Sequence, residues 1–133
     1  MTYREAINLG EKVLNMADVA DAKIDAWLLL EMVCKIDRSF YYLHMEDEVA
    51  EEQLSEYEIA LRKRAEHVPL QYIVGEAEFM GLKFKVNSNV LIPRQDTETL
   101  VEEALKVVKP GMKVLDMCTG SGCIIVSIVH NIP

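Results

Sequence analysis

The residues best suited to chemistry in this chain sit together in Lys113-Val-Leu-Asp-Met-Cys-Thr-Gly-Ser-Gly-Cys-Ile124. A short apolar run, Val114 to Met117, carries one acid, Asp116. A turn of small residues follows (Cys118, Thr119, Gly120, Ser121, Gly122), and then an apolar run suited to a helix, Cys123 to Val129. Strand, glycine turn and helix is the context in which a Gly-x-Gly pair implies nucleotide-type cofactor binding. Glycines let the backbone approach the ligand closely, and the helix start turns free amides towards it. A dinucleotide fingerprint would place a third glycine at position 125 and its acid about 20 residues after the turn. Here position 125 is Ile125 and the acid, Asp116, precedes the turn. That order favours an S-adenosylmethionine loop over NAD. A phosphate loop is excluded by the lack of a Lys-Ser/Thr ending. On these residues alone, a purely structural strand–turn–helix corner is the rival reading.

Other reactive side chains form no constellation. Cys118 and Cys123 flank the loop without two further ligands in range, so they read as small packing residues and not a zinc site. His44, His67 and His130 are scattered, with no arrangement suited to nucleophilic catalysis. Three cysteines with no Cys-x-x-Cys pair read as reduced thiols. The N-terminus lacks a basic segment followed by an apolar core, so no signal peptide is expected, and the chain is expected in the cytoplasm. No apolar run approaches the ~20 residues of a membrane span.

The net charge is −8, and it is uneven. Residues 1–70 hold 15 acids against 8 Lys or Arg, whereas residues 71–133 hold 7 against 6. Such an acidic surface argues against nucleic acid as a partner, because phosphate binding needs a basic footprint. The densest run, Glu46-Asp47-Glu48 with Glu51, Glu52, Glu56 and Glu58, reads as a solvated face; a docking patch for a basic surface is the alternative.

The first third has helical spacing. Thr2 with Glu5 makes a capping box ahead of Tyr3 to Met16. Ala22 to Lys35 is apolar on nearly every side, which suits the centre of a bundle, with Trp27 in its core. A short aromatic segment, Arg38 to His44, follows. Ala50, Leu54, Tyr57, Leu61 and Ala65 then form a stripe at spacings of three and four, on a helix that Pro69 should stop. After Gly75 the period changes to two. Glu76 to Met80 and Leu82 to Val86 alternate about Gly81 and predict a β-hairpin. Val90 to Ile92 reads as extended, and Asp96 or Thr97 begins a helix that Pro110-Gly111 ends. The expected layout is α+β. A helical domain covers 1–70, a hairpin linker 71–92, and the first helix–strand–helix of a Rossmann-like domain 93–133.

Four segments carry a family resemblance. Pro69-Leu-Gln-Tyr-Ile73 with Gly75, Phe79-x-Gly-Leu-x-Phe84, Leu91-Ile-Pro-Arg94-x-Asp-Thr-Glu98, and Val114-Leu-Asp-x-Cys-Thr-Gly-Ser-Gly122 together resemble the HemK-type peptide chain release factor glutamine methyltransferases. The resemblance implies methyl transfer from S-adenosylmethionine to the glutamine side-chain amide in the Gly-Gly-Gln motif of bacterial release factors. It implies that Cys118, Thr119, Gly120, Ser121 and Gly122 form the cofactor loop, with Asp116 bracing it by accepting backbone hydrogen bonds. Cys118 stands where relatives often have glycine. Pro93 and Arg94 would lie beside the pocket. The family's Asn-Pro-Pro-Tyr motif and its ribose-binding acid have no match in these 133 residues. The chain is therefore expected to be an incomplete, inactive part of that enzyme, with no catalytic residue of its own, weak or no cofactor binding, and an unfinished sheet that invites self-association or disorder after about residue 110. A non-catalytic docking module for release factors and another S-adenosylmethionine-dependent methyltransferase are the competing readings. An NAD-dependent oxidoreductase is disfavoured by Ile125 and Asp116.

Overall fold

A computed structural model describes residues 1–132 in two compact units, Met1–Val74 and the part that begins at Gly75. The first unit is helical: α1 (Tyr3–Met16), α2 (Ala22–Cys34), α3 (Arg38–His44), α4 (Glu51–Ala65) and α5 (Leu70–Val74). The capping box forms as the sequence predicts. Thr2 Oγ1 accepts from the Glu5 amide at 3.2 Å and Glu5 Oε2 accepts from the Thr2 amide at 2.9 Å, satisfying two amides at the start of α1. Helix α2 occupies the centre, burying Ala22, Ala26, Trp27, Leu29, Leu30 and Cys34, and leaves by a left-handed step at Lys35. Helix α4 ends at Ala65, ahead of Pro69, with His67 taking a left-handed step (φ +62°), and Pro69 instead opens α5, where its carbonyl accepts from the amides of Tyr72 and Ile73. A proline serves a helix start well, because its missing amide would have had no partner there.

Two long-range contacts lock this bundle. Asp25 is buried in α2 and its Oδ2 lies 2.6 Å from Nε of Arg64, whose Nη1 donates to the Val68 carbonyl at 3.2 Å. Removing either partner would strand a charge in a dry setting, at a cost of about 3–5 kcal/mol. The second contact brings three helices together. The buried Tyr57 hydroxyl of α4 donates to the Ala26 carbonyl of α2 at 3.1 Å, directly over Gly10 of α1. A Cβ on Gly10 would collide with that hydroxyl and lie 3.1 Å from the Ala26 Cβ. Glycine here is a matter of clearance, since its φ is helical.

The second unit begins with a hairpin, β1 (Glu76–Phe79) and β2 (Leu82–Lys85), paired antiparallel with Phe79 opposite Leu82. Met80 and Gly81 both take positive φ, +50° and +73°, which is the two-residue turn that matches strand twist. Ala77, Phe79 and Phe84 point inward and the charged residues between them outward. After a 3-10 turn at Gln95–Thr97 come α6 (Glu98–Val107) and α7 (Cys123–Asn131). Phe79, Phe84, Val101, Cys123 and Ile128 form the core that joins the hairpin to these helices. Glu98 Oε1 adds a 2.9 Å bond from the Met80 amide.

The hairpin's aromatic face supplies part of the second unit's core. One expectation needs correction. Neither Val90–Ile92 nor Val114–Met117 is a strand; the one sheet among the described residues is the two-stranded hairpin. Strand-like sequence becomes a strand only when a neighbour supplies the ladder, and none lies beside these segments.

The Gly10–Tyr57 contact gives a direct stability test. Overpacking by about 1–3 kcal/mol exceeds the roughly 1 kcal/mol that alanine gains as a helix former, so Gly10→Ala should destabilise. Tyr57→Phe should cost about 1 kcal/mol for the lost hydrogen bond. Because it also removes the colliding oxygen, the double variant should unfold at higher denaturant than the two single losses predict. Strict additivity would refute the close approach.

Candidate functional site

The loop between α6 and α7 is shaped by its backbone. Cys118, Gly120 and Gly122 all have positive φ, at +59°, +58° and +80°. Between them the chain turns back on itself. The Thr119 carbonyl accepts from the Gly122 amide at 2.9 Å, and the Gly122 carbonyl accepts from the Val126 amide at 3.0 Å to begin α7. Asp116 is half-buried at the loop entrance, and its Oδ2 accepts from the Thr119 hydroxyl at 2.8 Å. The brace at Asp116 thus runs through a side-chain hydroxyl, where the resemblance implies backbone donors.

No side-chain cap bonds the start of α7 among the described residues, so the amides of its first turn are left without a capping acceptor. A Cβ on Gly120 would meet no atom within 4 Å, so the space above the loop is open. At Gly122 a Cβ would lie 3.7 Å from Val126 Cγ2, an ordinary contact, so the glycine is needed there for its φ. Left-handed backbone, uncapped amides and open space suit a ligand that contacts main chain. Ser121 is half-buried within the turn.

The structure does not bring every candidate to this loop. Pro93 is half-buried and Arg94 exposed at the start of the 3-10 turn, where the Arg94 carbonyl accepts from the Thr97 amide at 3.1 Å. No hydrogen bond or ion pair joins either to the loop among the described residues. A hollow of about 350 Å³ opens nearby, lined by Pro110, Met112, Val114, Ile125, Ile128 and Val129 among others, and it does not include the loop glycines. Leu115 and Met117 are strongly exposed on the extended segment that leads into the loop. Motif reading misses Ser127, whose hydroxyl is fully buried in α7 without a hydrogen-bond partner among the described residues. No sequence signal marks it, because a serine in a helix looks the same whether it faces water or core.

The three thiols differ sharply. Cys118 is exposed, Cys123 is buried at the first position of α7, and Cys34 is buried in the helical unit. Burial pushes the Cys34 thiol up to about 11, with the charge of Glu56 adding to the effect. No three His, Cys, Asp or Glu side chains gather as a metal site among the described residues. No helix there is long and apolar enough to cross a membrane.

With this geometry in hand, comparison with known proteins is informative. Residues 5–75 match the model of the PrmC N-terminal domain. The chain belongs to the PrmC N-terminal domain family. Its curated relatives extend the likeness beyond that domain and through the loop. A release factor glutamine methyltransferase of Moorella thermoacetica is 38% identical over 100% of this chain and 48% of its own length. One from Geobacter sulfurreducens is 37% identical over 99% of this chain and 46% of its own length. One from Clostridium acetobutylicum is 44% identical over 96% of this chain and 46% of its own length. The chain spans about half the length of the curated relatives it matches. In this member of the PrmC N-terminal domain family, the matched segment ends where the helical unit ends, within a residue of the Val74–Gly75 boundary.

The thiols offer a readout of the site. At pH 8, an aromatic disulfide reagent should modify Cys118 at once, leaving Cys34 and Cys123 until the chain unfolds. Because the thiolate is the attacking form, Cys34 should stay protonated and slow until the pH nears 11. Three thiols reacting together in the folded chain would contradict this arrangement.

Proposed function

We propose that this chain is part of an S-adenosylmethionine-dependent enzyme that methylates the glutamine side-chain amide in the Gly-Gly-Gln motif of bacterial release factors. One observation carries the reading. The left-handed steps at Cys118, Gly120 and Gly122, braced by Asp116 and opening the uncapped start of α7, occur in a chain that aligns along its whole length with release factor glutamine methyltransferases. Each residue of the loop then has a task. Gly120 and Gly122 let main chain approach the ligand, Cys118, Thr119 and Ser121 complete the turn, and Asp116 fixes its entrance. The family resemblance would put Pro93 and Arg94 beside the pocket, although no hydrogen bond or ion pair joins either to the loop among the described residues. S-adenosylmethionine supplies an electrophilic methyl group when bound.

The acceptor side is more demanding. An amide nitrogen is a poor nucleophile, because its lone pair is delocalised into the carbonyl. Hydrogen bonds to its hydrogens and in-line placement must supply the acceleration. The Asn-Pro-Pro-Tyr residues that would do this are not among the 133. The division of labour in this chain is therefore cofactor loop plus helical domain, without catalytic groups. The place of release factors in translation supports a cytoplasmic setting.

A second reading has its own observation. The unit Met1–Val74 has a self-contained core and most of the negative charge, which suits a module that docks on release factors without catalysing anything.

The purified 133-residue chain should transfer no labelled methyl group from S-adenosylmethionine to a release factor, and calorimetric titration should give weak or undetectable cofactor binding. Turnover above background, or micromolar affinity, would overturn this assignment of roles.

A further inference from the structure

Two stretches singled out in the sequence have no task in the function proposed above. They are Phe79-x-Gly-Leu-x-Phe84 and the Glu98 end of Leu91-Ile-Pro-Arg94-x-Asp-Thr-Glu98. One hydrogen bond joins them. The Glu98 carboxylate, half-buried in the first turn of α6, accepts from the Met80 amide at 2.9 Å, 18 residues back along the chain. Met80 stands between Phe79 and Gly81, at the tip of the hairpin.

The tip needs such a partner. In a two-residue turn the amide of the first turn residue has no acceptor in the ladder, whose last pair here is Phe79 with Leu82. Met80 also takes φ +50°, where glycine or asparagine is the usual occupant, so its conformation is held against a local preference. A charged acceptor makes the stronger kind of amide hydrogen bond. An acid placed only to favour the helix dipole would need no such contact.

What this clamp holds is the support of the loop. Phe79 and Phe84 meet edge-on with ring centres 6.3 Å apart, and they share a core with Val101, Cys123 and Ile128 against which Met80 also packs. Cys123 is the first residue of α7 and follows Gly122 directly. The hairpin tip is thus tied to the start of α6, while its aromatic face supports the residue at which the loop becomes a helix.

We propose that Glu98 is a positioning residue for the loop Asp116–Gly122: by holding the Met80 amide it fixes the hairpin's phenylalanines against Cys123, and so sets where the loop glycines stand towards a bound cofactor. This rests on the cofactor-loop reading above and adds a residue, remote from the loop in sequence, on which cofactor affinity depends.

Amide hydrogen exchange followed by NMR on the 133-residue chain tests the clamp, under conditions where circular dichroism shows each variant folded. In the parent the Met80 amide should be protected, as should those of Gly122 and Val126, which donate to the Thr119 and Gly122 carbonyls. Glu98→Ala should speed exchange at least tenfold at Met80 and severalfold at Gly122 and Val126. It should change less than twofold at Leu54 in the helical unit, whose amide donates to the Ala50 carbonyl. Glu98→Gln keeps an acceptor oxygen without the charge, so it should stay within threefold of the parent at all four amides. The same variants belong in a chimera with residues 1–133 in place of the corresponding part of the Clostridium acetobutylicum relative. There Glu98→Ala should raise KM for S-adenosylmethionine at least fivefold with kcat within twofold, and Glu98→Gln should stay near the parent. Loop amides or a KM indifferent to Glu98→Ala, or equal effects of Ala and Gln, would overturn the clamp while leaving the enzyme reading in place. A folded parent chimera that transfers no methyl group would overturn the cofactor-loop reading, and the role of Glu98 with it.

Discussion

The backbone passes from the Lys113–Asp116 segment into α7 through left-handed steps at Cys118, Gly120 and Gly122. At the two glycines this conformation is open at no steric cost; at Cys118 the side chain adds on the order of 1 kcal/mol of strain. The turn holds because Thr119 works twice, with its carbonyl accepting from Gly122 and its hydroxyl donating to Asp116. With no side-chain cap on α7, the first amides of the helix stay available. The chemistry proposed for this chain follows from that arrangement of main chain, and the rest of the second unit serves to hold α7 in place beneath it.

Holding α7 falls to a small core. Phe79 and Phe84 from the hairpin and Val101 from α6 meet Cys123 and Ile128, the second-unit residues that α7 buries with Ser127. Ile124 and Ile125 are half-buried, whereas Val126 and Val129 stay exposed, as do Leu115 and Met117 on the segment before the loop. The helical unit is built differently. Its core is larger, and it is pinned by the Asp25–Arg64 pair and the Gly10–Ala26–Tyr57 junction.

How much of this could be read from sequence depends on the range of each interaction. Local signals were legible. Thr2 and Glu5 are three residues apart and bond each other, the stripe through Tyr57 and Leu61 has the period of a helix, and Phe79 and Phe84 fall on the inner face of an alternating hairpin. The loop was legible because glycine reports its own backbone freedom, at Gly120 and Gly122 alike. Contacts between distant residues left no such trace. Asp25 looks like one more acid near a helix start until Arg64, 39 residues on, is seen beside it. Gly10 looks like a weak point in α1 until Tyr57 fills the space its missing side chain leaves. Lys113–Met117 has the composition of a strand, but composition says nothing about whether a neighbouring strand is there to pair with it.

The central claim is that Asp116–Gly122 is the cofactor loop of a glutamine methyltransferase, and a chimera tests it most directly. Residues 1–133 would replace the corresponding part of the Clostridium acetobutylicum relative, and incorporation of labelled methyl into a release factor would be measured for the chimera and for its Gly120→Val variant. A chimera that methylates the release factor, and loses at least tenfold in rate with Gly120→Val at a temperature where circular dichroism shows the strained variant still folded, is the result this account predicts. A folded chimera without transfer, or one indifferent to Gly120→Val, would contradict it.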